Sequence, residues 1–457
     1  MIQADIAIVG AGFSAAAVAI NLLEKLPHSQ TVAVVGPRQA FGRGVAYGTA
    51  RECHRLNVPA GRMSLYADRP DHLVEWLSRK GHDYSAEDFV PRRLFGQYVQ
   101  DTLSDALQRS GNRAQMQFVD VEATSCDRSS SGGYTFGLSS GQRLEAAQAI
   151  LCMGSTAAGL PLPAKAIDAG ARERIVSNPW ADAWLERIDK DDEILILGSG
   201  LTMVDQVLAL NEYGHRGRIH VLSRRGLVPQ AHVVPRAPAT EVALVPGKME
   251  LSAMLRALRQ RIAETGDWRP VIDGLRPVTQ SLWQEMSDEQ RKRFLRHAVA
   301  MWNIHRHRMA PDIAAEIERL RASGRLIVHR GWLREIGEAD AGGITVTFEE
   351  RDSRQQMGLS VDRVVNCTGL ERCAINRLPL LADMAGRGLL AGDSLGLGVA
   401  VSDQSEILSA EGEPQTGLYA IGPMTLGRFW EIFAVPDIRV QTRDVAARVV
   451  AAQSAVD

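Results

Sequence analysis

Two glycine-rich segments of the chain have the spacing of turns that bind dinucleotide phosphates. The first, residues 10–15, reads GAGFSA and fits the pattern G-x-G-x-x-G/A. In that pattern the first glycine permits a tight turn, the second lets the backbone approach a pyrophosphate, and the third small residue lets a helix pack on a strand. The start of the helix then offers unpaired N–H groups to the phosphates. The predicted contacts are Gly10, Gly12, Phe13, Ser14 and Ala15.

The acidic residue that usually accompanies such a turn is absent from the first segment. About 20 residues after the glycines, this fold places an Asp or Glu that binds the ribose hydroxyls. Gly36 stands at that position here, and Arg38 follows two residues later. We therefore expect backbone groups or Arg38 to bind the ribose.

The second segment, residues 198–203, reads GSGLTM and follows another short apolar run. It keeps both glycines of the pattern but has Met203 in the third small position. The same backbone argument predicts a second dinucleotide site here. Its predicted contacts are Gly198, Gly200, Leu201 and Thr202.

Two arginines follow the second segment where the ribose-binding residue is expected. Ser223, Arg224 and Arg225 lie about 20 residues beyond its glycines. Arginine suits the additional 2′-phosphate of NADP, because its guanidinium forms bidentate, charge-assisted hydrogen bonds. The alternative is an ordinary solvated basic loop. We predict that these three residues bind NADPH in preference to NADH.

Two more glycines end apolar runs later in each half of the chain. Residues 151–154 read LCMG, and residues 366–369 read NCTG. Each run follows a stretch of alternating apolar and polar residues, so each is expected to return the chain to a nucleotide-binding sheet. A small-residue turn after any buried strand would look the same. The predicted cofactor contacts are Gly154, Thr368 and Gly369.

The elements that position these turns occur twice in the same order. A buried apolar strand, at 5–9 or at 193–197, precedes each glycine segment, and a helix, a strand and an alternating region follow it. The copies start 188 residues apart, from Gly10 to Gly198. This order predicts an α/β protein with two Rossmann-like, three-layer dinucleotide-binding domains. A charged segment of helical period predicts a helical insertion in the second domain.

The composition narrows the possible partners. The net charge of −2 over 457 residues points neither to nucleic acid nor to an anionic membrane. No stretch approaches the ~20 apolar residues of a membrane helix, so we expect a cytoplasmic protein. Arg92 and Arg93 are expected to be solvated. The scattered cysteines lack C-x-x-C and zinc-binding spacings, which predicts free thiols, no metal site and no dithiol chemistry. They are Cys53, Cys126, Cys152, Cys367 and Cys373.

Several longer sequence motifs occur outside the glycine turns. They are FGRGVAYG at 41–48, LNVPA at 56–60, GLTMVD at 200–205, HRHR at 305–308, IGP at 421–423, WE at 430–431 and AVP at 434–436. With these motifs the chain resembles the bacterial FAD/NAD(P)-binding proteins of the ninth NAD-binding family. That family is a branch of the two-dinucleotide flavoproteins of the glutathione-reductase type, related to flavin-containing and N-hydroxylating monooxygenases.

The resemblance implies FAD at the first turn and NADPH at the second. It assigns 1–165 and 367–457 to an FAD-binding domain, and 166–366 to an NADPH-binding domain with a helical insert at about 230–325. From the residue pattern we expect helices over 69–110, an antiparallel meander over 117–150 and a linker over 156–190.

The resemblance also implies residues near the flavin. It places Asn57 and the loop around Gly44 beside the isoalloxazine. Gly422 and Pro423 stand where the wider superfamily has Gly-Asp, whose Asp binds the ribityl chain. Trp430 and Glu431 are candidates for the substrate pocket, with a core aromatic as the alternative for Trp430. The HRHR phrase is expected to be the basic end of a helix, with an anion site as the alternative.

Three functions are compatible with these features. The first is a monooxygenase in which NADPH reduces the flavin, O2 binds as a flavin hydroperoxide, and a small amine, amino-acid-like or thioether substrate is oxygenated. The second is a flavin reductase or dehydrogenase that passes electrons to a small acceptor or partner protein. The third is a non-catalytic flavin-binding sensor, motivated by Gly36 and Met203. The expected catalytic residues are Asn57, Trp430 and Glu431, and an oligomer is possible.

Overall fold

The computed structural model describes residues 1–27, 30–111, 114–154, 158–244, 249–339, 342–369 and 375–453. The strands are β1 (Ile2–Val9), β2 (Gln30–Val35), β3 (Ala114–Val119), β4 (Ala123–Arg128), β5 (Tyr134–Leu138), β6 (Arg143–Leu151), β7 (Ile175–Val176), β8 (Ile194–Leu197), β9 (Ile219–Ser223), β10 (Leu326–Glu338), β11 (Ile344–Glu350), β12 (Gln356–Val361), β13 (Arg363–Asn366), β14 (Glu406–Leu408) and β15 (Pro414–Ala420).

Helices cover the sheets and form the insertion. They are α1 (Phe13–Lys25), α2 (Gly44–Tyr47), α3 (His72–Arg79), α4 (Arg92–Ser110), α5 (Leu201–Tyr213), α6 (Leu251–Thr265), α7 (Trp268–Gly274), α8 (Thr279–Glu285), α9 (Asp288–His297), α10 (Val299–Arg306), α11 (Pro311–Ala322), α12 (Pro379–Gly386) and α13 (Val435–Gln453). Within the ranges given above, none of the helices has both the length and the apolar character needed to span a membrane.

The first sheet is built around β1, which pairs in parallel with β2 and β6. Its strand order is β14-β15-β6-β1-β2-β3, and β5 and β4 extend from β6. Side chains alternate across a strand. Ile6 and Ile8 therefore pack with α1, α4 and α13, while Ala7 and Val9 pack with the β4–β6 side and α12. Burial on both faces explains the continuous apolar run of β1, and the result is three layers.

The second sheet repeats this plan around β8. Its order is β12-β11-β10-β9-β8-β13-β7, and β8 pairs in parallel with β9 and β13. Ile194 and Ile196 pack with α5 and α11, while Leu195 and Leu197 pack against the β10–β12 side. Helices α6–α11 lie between β9 and β10 along the chain. The predicted α/β fold, with two Rossmann-like, three-layer domains and a helical insertion in the second, is confirmed.

Some local predictions are corrected by the structure. The antiparallel meander predicted over 117–150 is formed by β4, β5 and β6, but β3 at its start pairs in parallel with β2. The 156–190 region is not only a linker, because its β7 pairs with β13 at the sheet edge. Helix α12 was not predicted from the sequence. Its buried face packs on the side of the first sheet that carries β4, β5 and β6. A short alternating run does not reveal whether its hydrogen-bonding partner is parallel or antiparallel.

A buried ion pair joins the two nucleotide-binding halves. Arg92, the first residue of α4, places Nη2 2.8 Å from Oδ2 of Asp205 on α5, and both side chains are largely buried. The imidazole Nε2 of His54 lies 3.1 Å from the carbonyl oxygen of Asp205. Arg92 is therefore not solvated as predicted. Burial raises the pKa of Asp205, and the charge of Arg92 opposes that rise. Removing one member of such a pair leaves a buried charge uncompensated.

Candidate functional site

The first glycine turn is held by the end of a neighbouring strand. Gly10 has φ +131°, and a Cβ at this position would overlap the carbonyl group of Cys152, with 2.7 Å to its carbon. The amide of Gly10 donates to the carbonyl oxygen of Val35 at 2.8 Å, and the amide of Cys152 donates to that of Val9 at 2.7 Å. The turn therefore requires glycine for both its conformation and its packing.

The second glycine of the turn faces open space. Gly12 caps α1 in an extended conformation without a side-chain hydrogen bond, and no atom lies within 4 Å of a Cβ built there. The first N–H groups of the helix therefore remain available to an anion. The ring of Phe13 packs on Tyr47 and Phe95, and Ala15 is fully buried, so these two residues contribute backbone and packing to the turn.

The second turn has a backbone geometry similar to that of the first. Gly198 has φ +97°, and its Cβ would lie 2.7 Å from the carbonyl carbon of Cys367. Gly200 caps α5 with φ −85° and ψ −167°, against −83° and −169° at Gly12, and its surroundings are equally open. Met203 fills the third position with a fully buried side chain and thus joins the core. Its departure from the small-residue pattern leaves the phosphate-facing backbone unchanged.

The structure supplies a reason for the missing acid at Gly36. Its φ is +151°, and a Cβ would lie 3.2 Å from the backbone carbon of Gly10 and 3.3 Å from the amide of Ala11. A longer side chain would press on the phosphate-binding turn. Arg38 is exposed; its guanidinium lies over the ring of Phe118, and its amide donates to Asp120 Oδ1 at 3.0 Å.

The FGRGVAYG loop lies directly on the first turn. The amide of Gly42 donates to the carbonyl oxygen of Ala11 at 2.9 Å. A Cβ on Gly44, which has φ +53°, would lie 3.2 Å from Cα of Gly12. On the other side, a Cβ on Gly422 would lie 2.7 Å from Oγ of Ser14. Glycines therefore approach the turn closely from two directions.

The two arginines after β9 have different environments. Arg224 is exposed, and its carbonyl oxygen accepts from Nη1 of Arg351 at 3.1 Å. The guanidinium of Arg225 instead donates to the carbonyls of Arg296 and His297 at the end of α9, at 3.4 and 3.3 Å. Ser223 accepts the hydroxyl of Ser199 at 2.8 Å and so joins the turn to this loop. Of the two guanidinium groups, that of Arg224 faces solvent.

A cavity of about 470 Å³ lies where the second nucleotide turn, the two returning strand ends, the insertion and the C-terminal segment meet. Part of its wall comes from the second glycine turn and from the two returning strand ends. Another part comes from α10 and the segment after Pro423. The lining residues from the sequence predictions are Gly154, Gly198, Gly200, Leu201, Thr202, Thr368, Gly369, Pro423 and Trp430.

The returning strand ends are tied to their surroundings beside this cavity. Oγ1 of Thr368 donates to Oδ1 of Asn366 at 2.7 Å, and the Asn366 side-chain amide donates to the carbonyl oxygen of Ala158 at 2.7 Å. The amide of Ala158 in turn donates to the carbonyl oxygen of Gly369 at 3.1 Å. The segment that leaves the first fold is therefore linked to the second at the point where the cavity opens between them.

Trp430 belongs to an aromatic cluster that joins the insertion to the C-terminal segment. Its ring stacks on Trp283 with centroids 4.4 Å apart and meets Phe294 edge-on at 5.6 Å. The indole of Trp283 donates to the carbonyl oxygen of Gly427 at 2.9 Å. The ring of Trp430 lies both in this core and on the cavity wall, so the two expectations for it are compatible.

Glu431 is fully engaged by the insertion. Its carboxylate accepts from Trp302 Nε1 at 2.8 Å and from Arg306 Nε at 2.9 Å, and the side chain is buried. Its backbone has φ +68°, a conformation that costs a non-glycine residue about 1 kcal/mol or more. The carboxylate therefore serves as an anchor for α10, and Glu431 does not belong to the described wall of the cavity.

The HRHR phrase ends α10 as predicted, but its residues have separate partners. His305 Nδ1 lies 2.7 Å from the carbonyl oxygen of Met301, and Arg308 pairs with Asp273. His307 lines the cavity and contacts Phe433, with ring centroids 5.2 Å apart. Burial lowers the pKa of His307 to about 4; Arg306 acts in the same direction and Glu431 against it. The imidazole is therefore neutral near pH 7.

The remaining flavin-site prediction is Asn57. Its carbonyl oxygen accepts from His232 at 3.1 Å. The residue contacts a small separate cavity beside Arg92 and Asp205, outside the described wall of the main one. Pro423 begins a short 3-10 helix, Pro423–Thr425, after the positive φ of Gly422. The structure thus brings Pro423 and Trp430 to one cavity but not Asn57 or Glu431.

The described cysteines are free thiols. Burial raises the pKa of Cys53 and Cys126 to about 12, and it raises that of Cys152 and Cys367 as well. Cys373 lies outside the described residues. Thiolates are the reactive form of cysteine in disulfide exchange, and the four described thiols stay protonated at neutral pH. Among the residues with described positions, no cluster of His, Cys, Asp or Glu is arranged to hold a metal ion.

Sequence reasoning missed one face of α10. Val299, Asn303, Ile304 and His307 line the cavity together. Their spacing of four, five and eight residues defines a helix face, which is a signal available in the sequence. That spacing does not say which neighbour the face meets. The partners on the wall, such as Leu397, come from a segment nearly 100 residues away.

Comparison with known proteins supports this description. Residues 7–156 match the family model described as FAD-NAD(P)-binding. An uncharacterized protein of Mycobacterium tuberculosis is 21% identical over 523 residues, covering 98% of this chain and 95% of the relative. The ornithine N-hydroxylase of Kutzneria sp. 744, described with FADred, NADP+ and L-orn, superposes with a TM-score of 0.69 at 16% identity, covering 99% of this chain and 100% of that one.

A second solved structure has the same arrangement. The cadaverine monooxygenase of Erwinia amylovora, bound to FAD, gives a TM-score of 0.64 at 16% identity and covers 99% of this chain and 95% of that one. At these identities the likeness concerns the fold. It agrees with the two-dinucleotide flavoprotein architecture expected from the sequence.

Replacing Gly10 or Gly12 of the first turn should have different effects: the first substitution lowers stability and the second lowers flavin binding. Gly10→Ala meets the Cys152 carbonyl in a strained conformation, so we expect a loss of about 2 kcal/mol or more of stability. Gly12→Ala meets no atom, so without flavin it should melt like the flavin-free wild type, while its methyl group obstructs the phosphate approach and lowers the amount of flavin retained. Calorimetry measures the melting temperature of each variant, and the flavin absorbance of the purified protein measures how much flavin it retains. Equal melting of the two variants would contradict the packing argument.

The neutral state of His307 should appear in the pH dependence of stability. Its pKa is about 4 in the folded protein and near 6.5 ordinarily, so the unfolded chain binds the proton first as pH falls. Stability is therefore retained above about pH 6.5 and declines toward pH 4. His307→Asn should flatten that decline in melting temperatures measured across the window. Identical slopes for both proteins would show that His307 does not titrate in this way.

Proposed function

We propose that this chain, whose residues 7–156 match the FAD-NAD(P)-binding family model, is an FAD- and NADPH-dependent monooxygenase acting on a small nucleophilic substrate. The observation that carries the proposal is the cavity of about 470 Å³ shared by the second glycine turn and both returning strand ends. A cavity between two dinucleotide-binding folds is where a nicotinamide, a flavin and a substrate can meet. The similar fold of two amine monooxygenases adds support.

The first turn has the properties needed to hold FAD. Gly12 leaves the start of α1 open to a pyrophosphate, and Gly10 keeps the backbone tight beneath it. The close approach of Gly44 and Gly422 lets further backbone lie against the bound dinucleotide. Once bound, FAD supplies electron transfer from NADPH and activation of O2. The chain itself binds, orients and excludes water.

The second turn is proposed to hold NADPH. Gly200 offers the same open helix start, and Arg224 presents an exposed guanidinium after β9 for the 2′-phosphate. Thr202 and Gly198 lie on the cavity wall, so a dinucleotide at this turn extends toward the cavity. Ser199, which bonds Ser223 and the carbonyl oxygen of Leu227, fixes the loop that carries Arg224.

The wall of the cavity positions the substrate. Trp430 supplies a flat apolar surface held in place by Trp283, and the anchor at Glu431 keeps α10 against it. His307 is neutral near pH 7, so it adds no charge to the wall.

Isotope labelling tests the reaction. The FAD-loaded protein is given NADPH, ¹⁸O2 and a panel of amines, amino acids and thioethers. We expect at least one compound to accelerate NADPH oxidation and to acquire one labelled oxygen atom. A protein boiled after loading serves as the control for released flavin. Rapid NADPH oxidation under nitrogen with an external acceptor, and no label in any compound, would instead establish a reductase.

Arg224 and Arg225 form a matched pair for testing nicotinamide preference. Arg224→Ala should raise the KM for NADPH by about tenfold or more, because a charge-assisted hydrogen bond to phosphate is lost, and should hardly change the KM for NADH. Arg225→Ala should change either value by about threefold or less, because its guanidinium is directed to the end of α9. Flavin reduction rates measure both. An equal loss with NADH and NADPH would remove Arg224 from the phosphate site.

A further inference from the structure

We propose that the substrate is an uncharged thioether carrying a hydrocarbon chain, with the chain directed past Trp430 toward a second, apolar cavity inside the helical insertion. This inference rests on the proposed monooxygenase function, whose substrate class it specifies. It also differs from the charged amines, ornithine and cadaverine, that name two similar structures.

The first argument is the chemistry of the main cavity away from the nucleotide turns. There the described wall is formed mainly by aliphatic and aromatic side chains of α10, the C-terminal segment and the loop before β14, with Asn303 and His307 as polar members. The apolar residues are Val299, Ile304, Leu397, Val399, Met424, Leu426, Trp430 and Phe433. Burying such surface against a hydrocarbon is favourable, at roughly 25 cal/mol per Å² of apolar area removed from water.

The second argument is a smaller cavity behind Trp430. It has a volume of about 80 Å³ and lies within the insertion. Trp430 contributes to both cavities and thus forms their common wall. The other lining side chains are almost all apolar: Leu244, Leu251, Met254, Leu255, Leu258, Leu275, Leu282, Trp283, Met286, Phe294 and Trp302, with Thr279 as the polar member.

The third argument is the weak packing of α6 over this smaller cavity. Of its 15 residues only Met254 is buried. Its leucines at 251, 255 and 258 nevertheless line the cavity, and Leu255 is 37% exposed. The helix therefore has an apolar face that a hydrocarbon chain beneath it would cover further.

The charge of the substrate at neutral pH distinguishes an aliphatic amine from a thioether. An aliphatic amine is a cation at neutral pH, since its pKa is near 10. Moving a cation onto an apolar wall costs several kcal/mol without an ionic partner. The described wall includes no Asp or Glu, and the carboxylate of Glu431, next to Trp430 in the chain, already accepts from Arg306 and Trp302. A thioether is neutral, so it can lie against the apolar wall without this cost, and its sulfur is a soft nucleophile that can be oxygenated.

The reaction balances for this substrate. The thioether sulfur gains one oxygen atom from O2 and becomes a sulfoxide, while the second oxygen atom leaves as water. NADPH and one proton supply the two electrons and two hydrogens. One molecule each of thioether, O2 and NADPH, with one proton, therefore gives one molecule each of sulfoxide, NADP⁺ and water. No further oxidant or reductant is needed.

Binding and oxygenation are tested together with three methyl thioethers. Methionine carries a charged head group, butyl methyl sulfide lacks it, and octyl methyl sulfide extends the chain. Each is titrated into the FAD-loaded protein while tryptophan emission and flavin absorbance are followed, and each is then assayed with NADPH and ¹⁸O2. We expect affinity to rise from methionine to octyl methyl sulfide, by about three- to fourfold for each additional buried methylene.

Three glutamine variants locate the site. Phe433→Gln alters a 39% exposed residue of the main cavity and should weaken all alkyl sulfides about fivefold or more. Leu255→Gln alters the smaller cavity and should selectively remove the advantage of octyl over butyl. Met301→Gln is the control, since Met301 is 46% exposed on α10 and lies outside both described walls. Their exposure lets all three variants fold.

The outcomes separate this inference from the proposed function. Labelled product from methionine or an amine, without binding of alkyl sulfides, would keep the monooxygenase and overturn the apolar substrate. Chain-length-dependent binding that is lost in the Phe433 and Leu255 variants, without labelled product, would support the apolar site and overturn the monooxygenase. Equal affinity for butyl and octyl methyl sulfide would overturn the role of the smaller cavity.

Discussion

The close contact between a glycine and the carbonyl of a returning strand is the constraint on which this architecture depends. Gly10 meets Cys152, and Gly198 meets Cys367, each with a positive φ that side chains rarely adopt. Because the strand end occupies the space of a Cβ, the following residues turn sharply and the next helix starts with its N–H groups exposed. The same contact places a second strand end beside the phosphate-binding turn. This contact between a glycine and a strand carbonyl therefore determines the shape of the turn, the start of the helix and the position of the strand end beside the cavity.

The two copies of this turn become unequal through what packs around them. At the first, Gly44 and Gly422 approach the backbone and enclose it. Near the second turn, the insertion contacts the C-terminal segment instead, through the stacked rings of Trp283 and Trp430 and the ion pair of Arg306 with Glu431. The cavity is consequently bordered by the second turn, both strand ends and the insertion. A duplicated fold thus yields one asymmetric site, because an insertion in one copy packs against the end of the other.

Polar residues that suggest chemistry in the sequence prove to be structural where burial gives them partners. Arg92 pairs with Asp205 between the halves, and Glu431 anchors α10. A buried charge is tolerated only when it is paired and hydrogen-bonded. Such residues look the same in a linear sequence whether their partner is a ligand or another part of the chain. The neutral His307, by contrast, gains its place on the cavity wall from the spacing of α10.

The sequence by itself determined the two nucleotide turns, the order of their elements and the duplication. These features depend on neighbours along the chain: a buried strand, two glycines and a helix lie within about 25 residues, and steric rules of the backbone fix their shape. Only the tertiary structure decided that β3 pairs in parallel, that Gly36 lacks space for an acid, and that Trp430 joins two cavities. Each of these depends on contacts between segments far apart in sequence, where periodicity indicates a buried face but not its partner.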